Sequence, residues 1–260
     1  MAHGRGKLSQ APVVYSLVQV RFSPILTLHT HLPSIQERLR AEYPRYALNH
    51  LQTIRVGIDG KPESGEIEPR WDFANRGNNA GIRLQTGSFV YHCSKYTIFD
   101  DFLQNAVNTL NIIHEIARID LVERVGVRYV DLVVPGDAEA VTDYLIPSLS
   151  GFPKNSFEDT EMLNSISQTT MKTKFGILQI RCLVSKEGVS LPPDLMTCNL
   201  TLERQPPKDR ISALMDTDHF SELSFDFGID DVKDRINALH EPISRAFWSS
   251  ITDHACTRWK

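Results

Sequence analysis

Cysteine is sparse. The four thiols, Cys93, Cys182, Cys198 and Cys256, are scattered through the 260 residues, and no two form a CxxC pair. That spacing fits a reduced, cytoplasmic chain with small buried thiols better than a disulfide framework or a zinc site. No apolar run approaches the roughly 20 residues that a membrane-crossing helix needs. Residues 1–10 are polar and lack the apolar core of a secretory signal, so they read as a flexible tail. Asn199-Leu200-Thr201 matches a glycosylation sequon, a chance match in a cytoplasmic strand. A basic excess is missing too. With 28 Lys and Arg against 32 Asp and Glu the net charge is −4, so no global field draws in a nucleic-acid backbone. Only a local basic groove stays open. Phosphate-cradling GxGxxG and Walker loops, a GxSxG elbow and HExxH are all absent.

What is present is strand and helix periodicity. At the midpoint stands Arg124-Val125-Gly126-Val127-Arg128-Tyr129-Val130-Asp131, inside a long strand over 121–134. Alternation puts Arg124, Gly126, Arg128, Val130 and Leu132 on one face, with Val125, Val127, Tyr129, Asp131 and Val133 on the other. Two arginines about a glycine are odd in a buried strand, because glycine there marks a bulge or the close approach of another group. Before it, the pattern predicts strands over 12–22, 48–58, 66–74, 81–85 and 88–94, with turns at 59–62, 75–79 and 86–87. It predicts helices over 32–43, with Pro33 in the first turn, and over 97–118, with Thr97 as N-cap and Asp100 and Asp101 next to the positive dipole end. After it come a helix over 137–149, a loop over 150–161, and strands over 165–173, 176–185, 196–205 and 220–227. A last helix covers 230–257, kinked at Pro242.

Both parts of the chain thus run strand, helix, antiparallel strands, long helix. The expected fold is α+β: a duplicated unit, over 11–119 and 120–260, with helices packed on one face of the sheets. The central strand would then be the seam, with Arg21 on a parallel strand beside it.

Several motifs resemble a known family. Arg21-Phe22-Ser23-Pro24, Trp71-Asp72-Phe73, Tyr96 with Phe99 and Phe102, the Arg124–Tyr129 motif, and Phe247-Trp248 with Trp259 are similar to those of the sporadically distributed, uncharacterised bacterial proteins of about 250 residues with an Arg-x-Gly-(Leu/Val/Ile)-Arg-Tyr strand. The likeness spans Pro12 to Trp259. It implies no activity, cofactor or metal. The patchy occurrence of such proteins implies an accessory module of the defence or toxin–antitoxin kind.

The residues themselves offer few chemical constellations. Arg21, Arg124, Gly126, Arg128 and Tyr129 are the candidate ligand contacts, since a guanidinium fork suits carboxylate or phosphate and glycine lets an anion approach. The competing reading is a structural ion-pair network, with Glu123 and Glu203 as partners. His29 and His31 share a face if extended, without a third metal ligand. His114, His240 and His254 read as helix-surface histidines. Asp216 and Asp218 invite an acid–base reading, and Trp71 and Phe73 either stack a base or fill the core. Trp248 and Trp259 lie off the apolar stripe of the last helix and mark a candidate partner surface. The leading expectation is a non-enzymatic protein acting through protein contacts or homodimerisation. Recognition of an anionic ligand or nucleic acid by the arginines comes second, and a nuclease or other hydrolase third.

Overall fold

A computed structural model describes residues 8–56, 62–152, 159–195, 200–205, 207 and 210–260, with backbone alone for 51–56 and 62–66. The fold is α+β. Its centre is an antiparallel pair, β1 (Val13–Phe22) and β6 (Leu121–Val133), in which Leu17 faces Arg128, Gln19 faces Gly126 and Arg21 faces Arg124. The seam strand is therefore antiparallel to β1, and the parallel placement of Arg21 is corrected. Around this pair the chain builds one sheet in the order β2-β3-β4-β5-β1-β6-β9-β8-β7, with every pairing antiparallel. On the β1 side lie β2 (Arg45–Val56), β3 (Pro62–Ala74), β4 (Ala80–Gln85) and β5 (Ser88–Cys93). On the β6 side lie β7 (Asn164–Lys172), β8 (Ile177–Ser185) and β9 (Ser212–Ser221), and the short β10 (Phe225–Asp226) pairs with the first two residues of β6.

Alternation decides which residues meet the helices. Val18, Val20 and Phe22 of β1 share a core with Val125, Val127, Tyr129 and Val133 of β6. The long helices contribute to that core: α1 (Leu28–Leu39) through Ile35 and Leu39, α2 (Phe99–Ala117) through Phe102, Leu110 and Ile113, and α4 (Ile229–Ser250) through Val232, Ile236, Leu239 and Ile243. Each such aliphatic or aromatic side chain contributes about 1.5–3 kcal/mol by leaving water. Trp71 and Phe73 belong to the same core, so neither presents a face to a base. The opposite face is also partly covered. There Val14, Tyr15, Leu17, Val130, Leu132 and Leu214 pack under Val189, Leu195 and Leu200. Val14 joins Tyr15 there because the β1–β6 register shifts between Val13 and Tyr15.

Several expectations are revised. Residues 8–10 are no free tail: Leu8 is buried and Gln10 donates its backbone N–H to the carbonyl of Trp259 at 2.9 Å, while residues 1–7 lie outside the described residues. Helix α1 starts a turn before Pro33, because buried Leu28 anchors it and the Thr30 hydroxyl donates to the Thr27 carbonyl. His29 and His31 therefore stand on a helix, where a spacing of two turns them to different faces. The extended N-cap of α2 is Ile98, and the Thr97 hydroxyl instead donates to Asp101 at 3.4 Å. Residues 137–149 hold only the single turn α3 (Val141–Tyr144). The turn expected over 59–62 and the loop over 150–161 fall in part on 59–61 and 153–158, outside the described residues. Residues 200–205 are not strand, and 196–199 fall outside the description. The strand paired to β6 begins at Ser212 instead. Pro242 lies inside α4; the break comes at Ile251, which turns extended to bridge Leu145, before Thr252 caps α5 (Asp253–Arg258).

Candidate functional site

The candidate residues divide between the two faces of β6. On the face away from the helices, Arg128 is held in a fork: Nε donates to Asp216 Oδ1 at 2.6 Å and Nη2 to Asp216 Oδ2 at 2.8 Å. Asp194 closes on the other edge of the guanidinium, with Nη2 3.3 Å from Oδ1. Burial opposes this charge, but the two carboxylates outweigh it and raise the Arg128 pKa further. Arg124 turns back along its own strand, donates to Gln19 Oε1, lies 4.3 Å over the Phe220 ring and stands 3.8 Å from Asp218. Burial lowers its pKa, and the like charges of Arg21 and Arg128 add to that against Asp218 and Glu222. The carboxylate partners are thus Asp194, Asp216 and Asp218. Glu123 and Glu203, the partners expected, accept from Ser23 and pair with Lys95 instead.

This arrangement accounts for the glycine. A Cβ on Gly126 would lie 3.1 Å from Arg124 Nη1 and 3.4 Å from Phe220 Cβ. Gly126 leaves room for the folded-back guanidinium. Arg21, opposite Arg124, is exposed.

Tyr129 projects to the helix face, into a cavity of about 260 Å³. Its floor is Tyr129, Asp131 and Thr217 of the sheet, and one wall is Tyr96 to Phe99 leading into α2. His240, Ile243, Ser244, Phe247 and Trp248 of α4 form the other, and Leu8, Ala11 and Val13 border it. Two aromatic contacts shape the walls. The His240 ring stacks on Phe99 at 3.6 Å and 5°, and Tyr96 meets Tyr129 edge-on at 5.3 Å and 87°. Burial drives the His240 pKa down to about 4, so the ring is neutral near pH 7, and drives Tyr96 up to about 12.

Asp131 is the exception in this apolar box, and it is the single charged residue among the described lining residues. It reaches the floor because strand alternation places it between Tyr129 and Val133, opposite Val13 on β1 and Met215 on β9. Only 2% of its surface is exposed, and Oδ1 has no hydrogen-bond partner. Burial raises its pKa to about 7; Arg204 pulls the other way and Asp216 adds to the rise. A buried carboxyl without a partner is costly, and such groups concentrate at functional sites.

Of the two tryptophans expected at a partner surface, Trp248 lines this cavity. Trp259 is buried against Tyr144 and Phe247, with ring centroids 5.5 and 6.4 Å away. The break after α4 folds α5 back and takes it out of solvent. His240 is likewise a wall residue rather than a surface one, and His114 stacks on Phe227 at 4.1 Å. Alternation had placed Asp131 on the face of Val125, Val127, Tyr129 and Val133. A lone carboxylate on a strand face of hydrophobes was the signal of the site. Among the described residues no group of three or more His, Cys, Asp or Glu side chains is placed to hold a metal ion, and no helix is long and apolar enough to cross a membrane. No family model matches the chain, and no curated protein matches it.

Proposed function

We propose that the chain is a non-enzymatic binding protein whose ligand is a small, mainly apolar molecule held between α2, α4 and the β6–β9 floor. The observation that carries this reading is the unpartnered Asp131 carboxyl at the bottom of an aromatic cavity. Ligand sites combine apolar walls with a few polar groups that fix orientation, and Asp131, Thr217 and the Tyr129 and Tyr96 hydroxyls supply those here. The volume of about 260 Å³ suits a one- or two-ring molecule, since a dry apolar cavity of roughly 150 Å³ already takes benzene. The arginine face draws less support as a ligand site, because Arg128 and Arg124 already donate to Asp216, Asp194 and Gln19.

Calorimetric titration of the full chain with 2-phenylethanol tests the reading. Saturable one-to-one binding is expected, lost in Ser244→Phe, which fills the cavity from α4. Absence of binding to the unaltered chain at millimolar ligand would remove the proposal.

A second reading, pairing with another protein chain, draws on the sheet edge. Ile166 of β7 is 72% exposed on an edge strand without an acidic residue, and such edges invite a further strand. Light scattering of the unaltered chain and of Ile166→Lys checks it; a monomer in both cases counts against it.

A further inference from the structure

We infer that the cavity selects a cationic ligand, a small aromatic or aliphatic amine whose ammonium group sits against the Asp131 carboxylate. The inference rests on the ligand-binding reading of the same cavity and adds the chemical class of the occupant.

Three features of the lining point to a cation. The first is charge. Asp131 is the lone ionisable group of fixed sign among the described lining residues; His240 stays neutral near pH 7 and the tyrosines stay protonated. An anionic ligand would meet a carboxylate with no cation on the cavity wall to offset it. The second is hydrogen bonding. Asp131 lines the cavity and no donor satisfies its Oδ1, and an ammonium brought to this carboxyl supplies the charge-assisted form of hydrogen bond, about twice as strong as a neutral one. The third is the aromatic surround. Tyr96, Phe99, Tyr129, Phe247 and Trp248 border the same space, and the faces of such rings attract a desolvated cation.

Asp131 shares the cavity with Tyr129 on its own strand, Tyr96 ahead of α2 and His240 on α4, while the charges of Arg204, from the segment after Leu200, and of Asp216, on the other face of β9, act on it from outside the cavity. Arg204 donates to the backbone carbonyls of Ala11 and Val13 and is not part of the lining. It tempers the carboxylate without occupying the cavity. An ammonium docked on Asp131 favours the ionised carboxyl, so binding below about pH 7 expels the carboxyl proton to solvent, whereas a neutral ligand expels none.

The test compares 2-phenylethylamine with 2-phenylethanol, which share a ring and a two-carbon arm and differ in the terminal group. At pH 8 the amine is expected to bind about tenfold more tightly than the alcohol, the scale of one charge-assisted contact over a neutral one. In Asp131→Asn that preference disappears. At pH 6, repeating the titration of the unaltered chain in buffers of different ionisation enthalpy should show about one proton released with the amine and none with the alcohol. This second measurement needs no variant, so it decides the matter even if the substituted chain folds poorly. Equal or tighter binding of the alcohol at pH 8, or an undiminished preference in Asp131→Asn, overturns the amine assignment and leaves the cavity reading standing. If neither compound binds, both fall.

Discussion

Arg124 lies folded over Gly126, where a side-chain Cβ would come within 3.1 Å of its Nη1. The glycine at the middle of the central strand is there for the neighbouring arginine, which needs the space to reach Gln19 and the Phe220 ring. Gly126→Ala should cost about 1 kcal/mol, because a Cβ 3.1 Å from Nη1 pushes the guanidinium off Gln19 and the Phe220 ring. Gly126→Val should cost more. In Arg124→Ala the same Gly126→Ala change should become nearly neutral; chemical denaturation of the four chains measures the coupling, and strict additivity would refute the pairing.

Arg128 neutralises two carboxylates, and its removal strands the buried one, Asp216, while Asp194 stays exposed to water. Arg128→Ala should destabilise the chain by about 3–5 kcal/mol, the usual scale for breaking a buried pair from one side. Arg128→Lys should recover little, because a point charge cannot reproduce the fork on Asp216. Because Asp194 belongs to the turn Pro193–Leu195 over the sheet, proteolysis near that turn should accelerate in Arg128→Ala. Urea titration and limited proteolysis report on the two effects separately.

Asp131 predicts a pH signature. Its folded pKa of about 7 stands above the ordinary 3.8, so the folded chain keeps the proton that the unfolded chain gives up. Below about pH 4 both states are protonated and there is no penalty. From there the penalty grows with pH, and above about 7 it is complete, a few kcal/mol on the scale of 1.4 kcal/mol per pKa unit. Stability of the unaltered chain relative to Asp131→Asn should therefore fall between pH 4 and 7 and level off above. The lowered His92, His219 and His240 act on both chains alike and cancel in the difference. A flat difference across that window would contradict the burial of this carboxyl.

Trp259 is a packing residue. Trp259→Ala should cost about 3–5 kcal/mol in thermal or urea unfolding. It should leave the association state, read by light scattering, where the unaltered chain has it. Dissociation of an oligomer at unchanged stability would restore the surface role first expected for it.

The elements were legible where periodicity was long and uninterrupted. The strand at 12–22, the hairpin of β4 and β5, the seam strand and α2 all came from alternation or a continuous apolar stripe. Residues 212–219 are not legible as a strand, since Asp216 and Asp218 put two carboxylates on one of its faces, and only their pairing with Arg128 and Arg124 makes them strand interior. The expected strand over 196–205 failed at 200–205 for the converse reason: its apolar Leu200 packs on the sheet face from a crossing segment.

For the candidate site the division is similar. Tyr129 and Trp248 were picked out from the chain, though for other roles, and no local signal put them in one cavity. By itself the sequence determined the α+β class and put Asp131 on the strand face of Val125, Val127, Tyr129 and Val133, because these follow from a period of two and from the chemistry of neighbouring residues. Only the tertiary structure decided which carboxylates neutralise the arginines, that α4 roofs Asp131 with His240 and Trp248, and that Oδ1 is left without a donor. These depend on contacts between residues far apart in the chain, 66 positions for Arg128 with Asp194 and 88 for Arg128 with Asp216, and no periodicity along a strand or helix encodes a pairing across the fold.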